Sequence, residues 1–459
     1  MLIRSRRDFL KDSLKSVTAL GTMGALAKFG EINAFASTGT GYQALVCVFL
    51  TGGNDGHNTI IPISTAQQNY SLYAKNRVDL ALPQASLLPI ANGSDTYGLH
   101  PSLSEIQGLY KAGKAAVLAN VGMLVQPTNR TIFANNNSAT IPTALFSHSD
   151  QAGQWQSAIP NGIASTGWGG RVADSLQSQN SGAIFPPITT TSSCGIFCTG
   201  QQTSPATVPP PYSGSTAGSG MATLNITSSS SAGAAGVQQL LKFDNGLQLV
   251  QSGNSILTRA NTYANTMTGL LANAKITTQF PANNPLAAQL QTVAKVMSVR
   301  NQLGLARQIF FCQLEGFDFH SAQLESQQVL LAQLSQAVAA FHTATQELGV
   351  ESNVTTFTAS EFGRTLSPSG TNGSDHAWGN HHFIIGGGVQ GGKFYGTFPS
   401  LAFGNDHDAN NRGTLIPTTA VVQYASTLAR WFGVSAASLP SIFPNIGNFA
   451  ASTPVNFLG

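Results

Sequence analysis

The sequence predicts an α/β fold built on a mostly parallel central sheet. Two observations carry that reading. Continuous apolar runs such as QALVCVFL (43–50), QIFFCQL (308–314) and VTTF (354–357) suit strands buried on both faces. Between such runs lie stretches with helical spacing, giving the strand, crossover helix and strand rhythm of a parallel sheet.

The first run ends in TGGNDGHNT, a Gly-rich turn. PSLSEIQGLYKAG (101–113) places Leu103, Ile106, Leu109 and Tyr110 at helical spacing and stops at Gly113, and AAVLANVG (115–122) reads as the next strand. Residues 187–235 are dominated by Ser, Thr, Gly and Pro, which predicts an insertion with little core of its own. Helical patterns resume at 237–251 and 287–304. QIFFCQLEGFDFH (308–320) is a strand that ends at Asp318 and His320. A long helix follows, with Leu324, Leu331, Leu334, Val338, Phe341 and Leu348 on one stripe. VTTFTAS (354–360) and HFIIGGG (382–388) read as further strands, and TTAVVQYASTLARWFGV (418–434) as a closing helix with Gly433 just past its end.

Only 9% of the 459 residues are charged. Much of the basic excess sits at the start, where SRRDFLK (5–11) and a mildly apolar stretch (16–30) precede Ala34-Phe35-Ala36. This resembles a twin-arginine export signal, which implies passage of a folded protein through the twin-arginine translocase to a periplasmic or extracellular location. Residues 1–36 would be the signal, and 37–459 a single α/β domain with an insertion at about 187–235. Removing six basic and three acidic residues takes the net charge from +3 to zero, so nucleic acid and anionic membranes are poor partners. No apolar run is long enough to predict a transmembrane helix. Cys47 and Cys312 lie in apolar runs and are expected to be buried. Cys194 and Cys198, in SSCGIFCTG, suit a short-loop disulfide in an oxidising compartment.

Titratable residues cluster where the predicted strands end. Asp55, Asp318, His320 and Glu361 all sit at or past C-terminal strand ends, the edge at which open α/β sheets bind ligands. Asp318 and His320 are two apart and share a side in extended chain, and hard oxygen plus imidazole suits Zn²⁺, Mn²⁺ or Fe. A helix-capping turn is the competing reading of that pair. His376, in SDHAW, leads back to the same edge, with His381 and His382 either functional or packed under a strand. Gly52 and Gly53 would let backbone approach a ligand while Asp55 supplies charge for a cation, although a simple turn needs only the glycines. Ser147 and His148, in FSHSDQ, could act as nucleophile and acid–base group, or Ser147 could simply cap a helix. Arg364 could hold an anionic substrate group or pair with Glu361. Asp406-His407-Asp408 is read as surface.

LTGGNDGHNTIIP (50–62), LHPSL (99–103), FSHSDQ (146–151), GFDFHSAQ (316–323), TASEFGRT (358–365), SDHAW (374–378), GGGVQGG (386–392) and TLIPTTAVVQYASTLARWFGV (414–434) together resemble a bacterial exported family known as domain of unknown function 1501. That family resembles a branch of the alkaline phosphatase and sulfatase superfamily. The resemblance implies a three-layer sandwich, one or two divalent metals (Zn, Mn or similar) at the sheet edge, and attack on phosphorus or sulfur. By motif, Asp55 would be the first-strand metal Asp, Asp318 and His320 the mid-chain pair, and His376 the last His. The chain departs from the pattern at Ser360-Glu361-Phe362, where adjacent Asp and His ligands are usual. Glu can supply oxygen, but Phe cannot coordinate.

The expected function is an exported metal-dependent hydrolase-like protein acting on an anionic phosphate or sulfate ester. Asp55, Asp318, His320, Glu361 and His376 would hold metal, Arg364 would stabilise the transferring group, and Ser147 or His148 would serve as nucleophile or acid–base partner. The alternative is a non-catalytic secreted binding or cell-envelope protein that keeps the fold with a decayed metal site.

Overall fold

The apolar alternation of the first strand determines what surrounds it. In the computed structural model, Leu45, Cys47 and Phe49 join one core cluster with Trp155, Trp168, Phe357, Tyr424 and Leu428, while Ala44, Val46, Val48 and Leu50 are buried as well. A strand buried on both alternations must be central, with helices over both faces. The structure describes residues 41–135, 139–210, 247–452 and 455–459, with positions 236, 239 and 242. The export-signal reading of residues 1–36 and most of the predicted helix at 237–251 lie outside them.

In chain order the main elements are β1 (Gln43–Thr51), α1 (Gly56–Thr59), β2 (Ile60–Ser64), α2 (Tyr70–Arg77), β3 (Leu88–Asn92), β4 (Asp95–Leu99), α3 (Ser104–Lys111) and β5 (Ala115–Gly122). Next come α4 (His148–Ser157), α5 (Trp168–Ser175), β6 (Ile188–Thr190), β7 (Ala206–Thr207), α6 (Gln248–Ala272), α7 (Pro285–Ser298) and β8 (Arg307–Glu315). The chain closes with α8 (Gln323–Glu347), β9 (Val354–Ala359), β10 (Asn380–Gly386), β11 (Phe394–Tyr395), β12 (Thr419–Ala420) and α9 (Val421–Trp431).

The main sheet runs β11-β5-β10-β9-β1-β8-β6-β7, with β12 also on β5. Every pairing is parallel except the two made by β10, which runs antiparallel between β9 and β5. That reversal matters for the site. The N-terminal end of β10 lies on the same rim as the C-terminal ends of β1, β8 and β9, so the loop carrying His376 arrives beside Asp318. The sequence located this strand but not its direction. A second sheet, β2-β4-β3, is antiparallel and was not foreseen; its signal is the Asn92-Gly93 turn between two short strands, with Gly93 at φ 62°.

Helices α4, α5 and α9 contribute to the cluster on one face, and α7 packs on β8 and against α8. The predicted long helix appears as α8, burying Leu331, Leu334, Val338 and Phe341. Cys194 and Cys198 form a disulfide, and Cys47 and Cys312 are buried free thiols. Among the described residues no helix is long and apolar enough to cross a membrane. Asp408, read as surface, is instead fully buried, its carboxylate accepting from the Gly404, Asn410 and Gly413 amides.

Candidate metal centre

The turn after β1 is built so that three strand ends can touch. Gly52 and Gly53 have φ of 115° and 82°, which favour glycine, and a Cβ at either would collide, at Gly52 with Phe317 and Asp318 backbone and at Gly53 with the Phe362 ring. The Gly52 amide donates to Glu361 Oε1 at 2.8 Å and the Asn54 amide to Ser360 Oγ at 3.0 Å. Arg364 binds the same turn from below, donating to the Gly53 carbonyl at 3.0 Å, the Ser374 carbonyl at 3.0 Å, and to Gly52 and Asp318. The turns after β1, β8 and β9 thus share one polar frame.

On that frame Asp318 Oδ1 is a hub. His376 Nε2 lies 3.2 Å from it, His320 Nε2 3.1 Å and His148 Nε2 3.4 Å. The ligand atoms of His148, Asp318 and His376 all lie within 4.8 Å of one another. His320 Nε2 is also 3.0 Å from His376 Nε2.

The outer nitrogens explain why these edges cannot satisfy each other. His376 Nδ1 lies 2.7 Å from the Phe146 carbonyl, which only accepts, so Nδ1 carries the proton and Nε2 presents a lone pair. His148 Nδ1 lies 2.9 Å from Glu361 Oε1, which likewise fixes a proton there, and its buried Nε2 has no hydrogen-bond partner. His320 Nδ1 is held more loosely, 3.8 Å from Asp375 Oδ1, with Arg412 completing that pair at 2.7 Å. Lone pairs of imidazole and carboxylate therefore face a common point. Acceptors brought face to face require a cation between them.

Electrostatics separates the two candidate cations, a proton and a metal. Burial lowers the His376 pKa below its usual value, and the nearby Arg364 and His148 charges add to this against the Phe146 hydrogen bond. Asp318 is held down to about 2: partial burial raises it, but the Arg364 hydrogen bond and charge outweigh that. His148 moves the other way, raised chiefly by its hydrogen bond to Glu361. One proton on His148 relieves only one edge. A divalent ion satisfies three donors at once, and the 3.2 and 3.4 Å from Asp318 to His376 and His148 are close to the roughly 3.4 Å expected for ligands at about 2.1 Å around a tetrahedral ion. Two imidazoles, each held by an outer hydrogen bond, and a carboxylate that Arg364 also binds fit Zn²⁺ or Mn²⁺.

The sequence expectations divide accordingly. Asp318 and His376 converge, with His320 beside them. His148, expected as a catalytic group, joins them as a donor. Glu361 is nearly fully buried and orients His148 through Nδ1, so it stands one layer behind the converging atoms. Asp55 does not converge with them. It is buried, its carboxylate accepts from the His57 amide at 2.9 Å, from Gln323 and from the Arg77 guanidinium, and it caps α1. Arg364 is also buried, and its donors are spent on carbonyls and Asp318, so it steadies the frame rather than facing an open cleft. Ser147 occupies the N-cap position of α4 without a side-chain capping bond; its hydroxyl donates to Asp150.

His381 and His382 belong to the core. His381 Nδ1 accepts from the Asn120 amide at 3.0 Å and its ring stacks on Phe398, while His382 stacks on Tyr424. Arg77 and the Phe146 carbonyl were missed by sequence reasoning. Arg77 lies in YSLYAKNR, a segment that reads as an ordinary polar helix, and no local pattern reveals its distant partner.

A family model described as "Protein of unknown function (DUF1501)" matches residues 42–423. No curated protein matches. Among solved structures, the lipoteichoic acid synthase LtaP from Listeria monocytogenes is similar with a TM-score of 0.32 at 6% identity, over 86% of this chain and 72% of that one. The PsFucS1 sulfatase from Pseudoalteromonas sp. gives 0.33 at 10%, over 90% and 72%. A TAB5 alkaline phosphatase mutant gives 0.29 at 9%, over 76% and 92%.

Proposed function

The chain belongs to the DUF1501 family, and from that premise we propose that it is an exported metal-dependent hydrolase-like protein acting on phosphate or sulfate esters. One observation carries the reading: the Nε2 atoms of His148 and His376, with Nδ1 protons fixed elsewhere, present lone pairs to the carboxylate of Asp318. His148, Asp318 and His376 would hold the ion, with His320 at its open edge. A bound divalent ion supplies Lewis-acid chemistry, polarising an ester oxygen and lowering the pKa of water.

The chain's own groups prepare that chemistry. Glu361 fixes the His148 ring, the Phe146 carbonyl fixes His376, and Arg364 keeps Asp318 ionised. His148 cannot be a base for Ser147 while both its nitrogens are committed. Ser147 therefore remains a nucleophile candidate assisted only by Asp150, whose carboxylate accepts its hydroxyl hydrogen bond. Asp318 and His320 are about half exposed, so the ester would approach from their side.

The test is hydrolysis of aryl phosphate and aryl sulfate esters by the wild type and by an Asp318→Ala, His376→Ala double variant. Turnover above the double variant, abolished by chelator and restored by Zn²⁺ or Mn²⁺, is the expected result. A second reading, a secreted binding protein with a decayed site, draws on Phe362, a buried ring at a position where a ligand would be usual. Equal rates in both proteins would favour it.

A further inference from the structure

We infer that the centre holds a single ion, because Asp55, the acid after β1 expected to anchor an ion on this rim, has donors on both of its oxygens. The inference rests on the metal-dependent reading above and adds to it how many ions the site takes.

The acid is Asp55. A carboxylate that serves as a metal ligand needs an oxygen lone pair directed at open space or at other ligands. Asp55 has neither. The His57 amide donates to Oδ1 at 2.9 Å, Gln323 Nε2 and Arg77 donate to Oδ2, and both Asp55 and Arg77 are fully buried. Gln323 is locked in turn, its Oε1 accepting from Ser374 Oγ at 2.6 Å.

The guanidinium cannot swing away to make room. Arg77 Nε donates to Asn58 Oδ1 at 2.9 Å, and Nη1 donates to the Thr365 and Leu366 carbonyls at 2.8 and 3.0 Å. Its planar fork is held on three sides, so the donor on Oδ2 is fixed in place.

A second, independent observation concerns the ring packed against the turn that carries Asp55. The Phe362 ring is completely buried, with its centroid 4.8 Å from that of His148 and 4.7 Å from that of His376, and it presses on Gly53, two residues before Asp55. An apolar ring supplies no ligand atom. Glu361 is committed on the other side to the Gly52 amide and His148. Around Asp55, then, no second ligand set exists among the described residues.

The experiment is a count of ions on the full chain. The protein is stripped with chelator, dialysed against Zn²⁺ or, separately, Mn²⁺, and metal per chain is measured by mass spectrometry. The expected value is one, falling to zero in Asp318→Asn and staying at one in folded Asp55→Asn. Two retained ions per wild-type chain would overturn the inference and leave the hydrolase reading standing, as would loss of the ion in a folded Asp55→Asn protein. No retained ion would remove the hydrolase reading itself and this inference with it. The wild-type count needs no variant to fold.

Discussion

Two acids sit on the same rim and live in opposite circumstances. Asp55 is sealed, with every oxygen matched to a donor and a guanidinium as its counter-ion. Asp318 is about half exposed, and besides its bond to Arg364 it faces the Nε2 atoms of His148 and His376, whose Nδ1 atoms are bonded elsewhere. Sequence position makes the two look alike, since each follows a buried parallel strand. Satisfaction is what separates them: a saturated carboxylate is structural, and one surrounded by lone pairs is a place for a cation.

The sharpest way to break this contrast is to remove a cation partner. Arg77→Met leaves a fully buried carboxylate uncompensated and should cost about 3–5 kcal/mol of stability, whereas Asp318→Asn, half exposed and still offering Arg364 an acceptor, should cost less, about 1–2 kcal/mol. Denaturant unfolding of the two variants checks this, and similar losses would erase the distinction.

Histidines sharpen it further, because burial alone lowers one imidazole while a carboxylate raises another. In the closed region burial pushes His57 down to about 4, and within β10 burial pushes His382 down to about 3, whereas at the open centre His148 is raised by Glu361. For the buried pair the sign follows from proton uptake. Unfolded histidine titrates near about 6.5, so below that pH the unfolded chain binds protons the folded chain refuses. Stability should be flat above that pH and fall as pH drops towards 4, by on the order of 3 kcal/mol per imidazole. Melting temperature against pH reads this out, and a His382→Gln variant should show a shallower fall.

Smaller effects distinguish the outer partners of the histidines. Glu361→Gln weakens the charge that orients His148 and should lower metal affinity about 10–100-fold without unfolding the chain, as measured by competition with a chelating dye. Asp375→Asn should change affinity less than that, since its carboxylate stands 3.8 Å from His320 Nδ1. A larger loss from Asp375 than from Glu361 would mean that His320, not His148, is the principal donor.

Much of this was legible in the chain. The strands declared themselves through β-branched apolar runs, and their order put Asp318, His320, Glu361 and His376 near one edge. Phe362 also announced that one expected ligand was absent. The unreadable part was pairing in space. Nothing near YSLYAKNR says that Arg77 reaches Asp55, and nothing in SEFGRT says that Arg364 turns inward to backbone carbonyls. His148 read as a catalytic group because its partner Glu361 lies 213 positions away. The direction of β10 was equally hidden, because an apolar run looks the same from either end.

The most direct measurement is anomalous X-ray scattering from crystals of the protein equilibrated with Zn²⁺. A single peak within bonding distance of His148 Nε2, His376 Nε2 and an Asp318 oxygen is the expected result. A peak bound instead to Asp55, or none near these three side chains, would contradict the account.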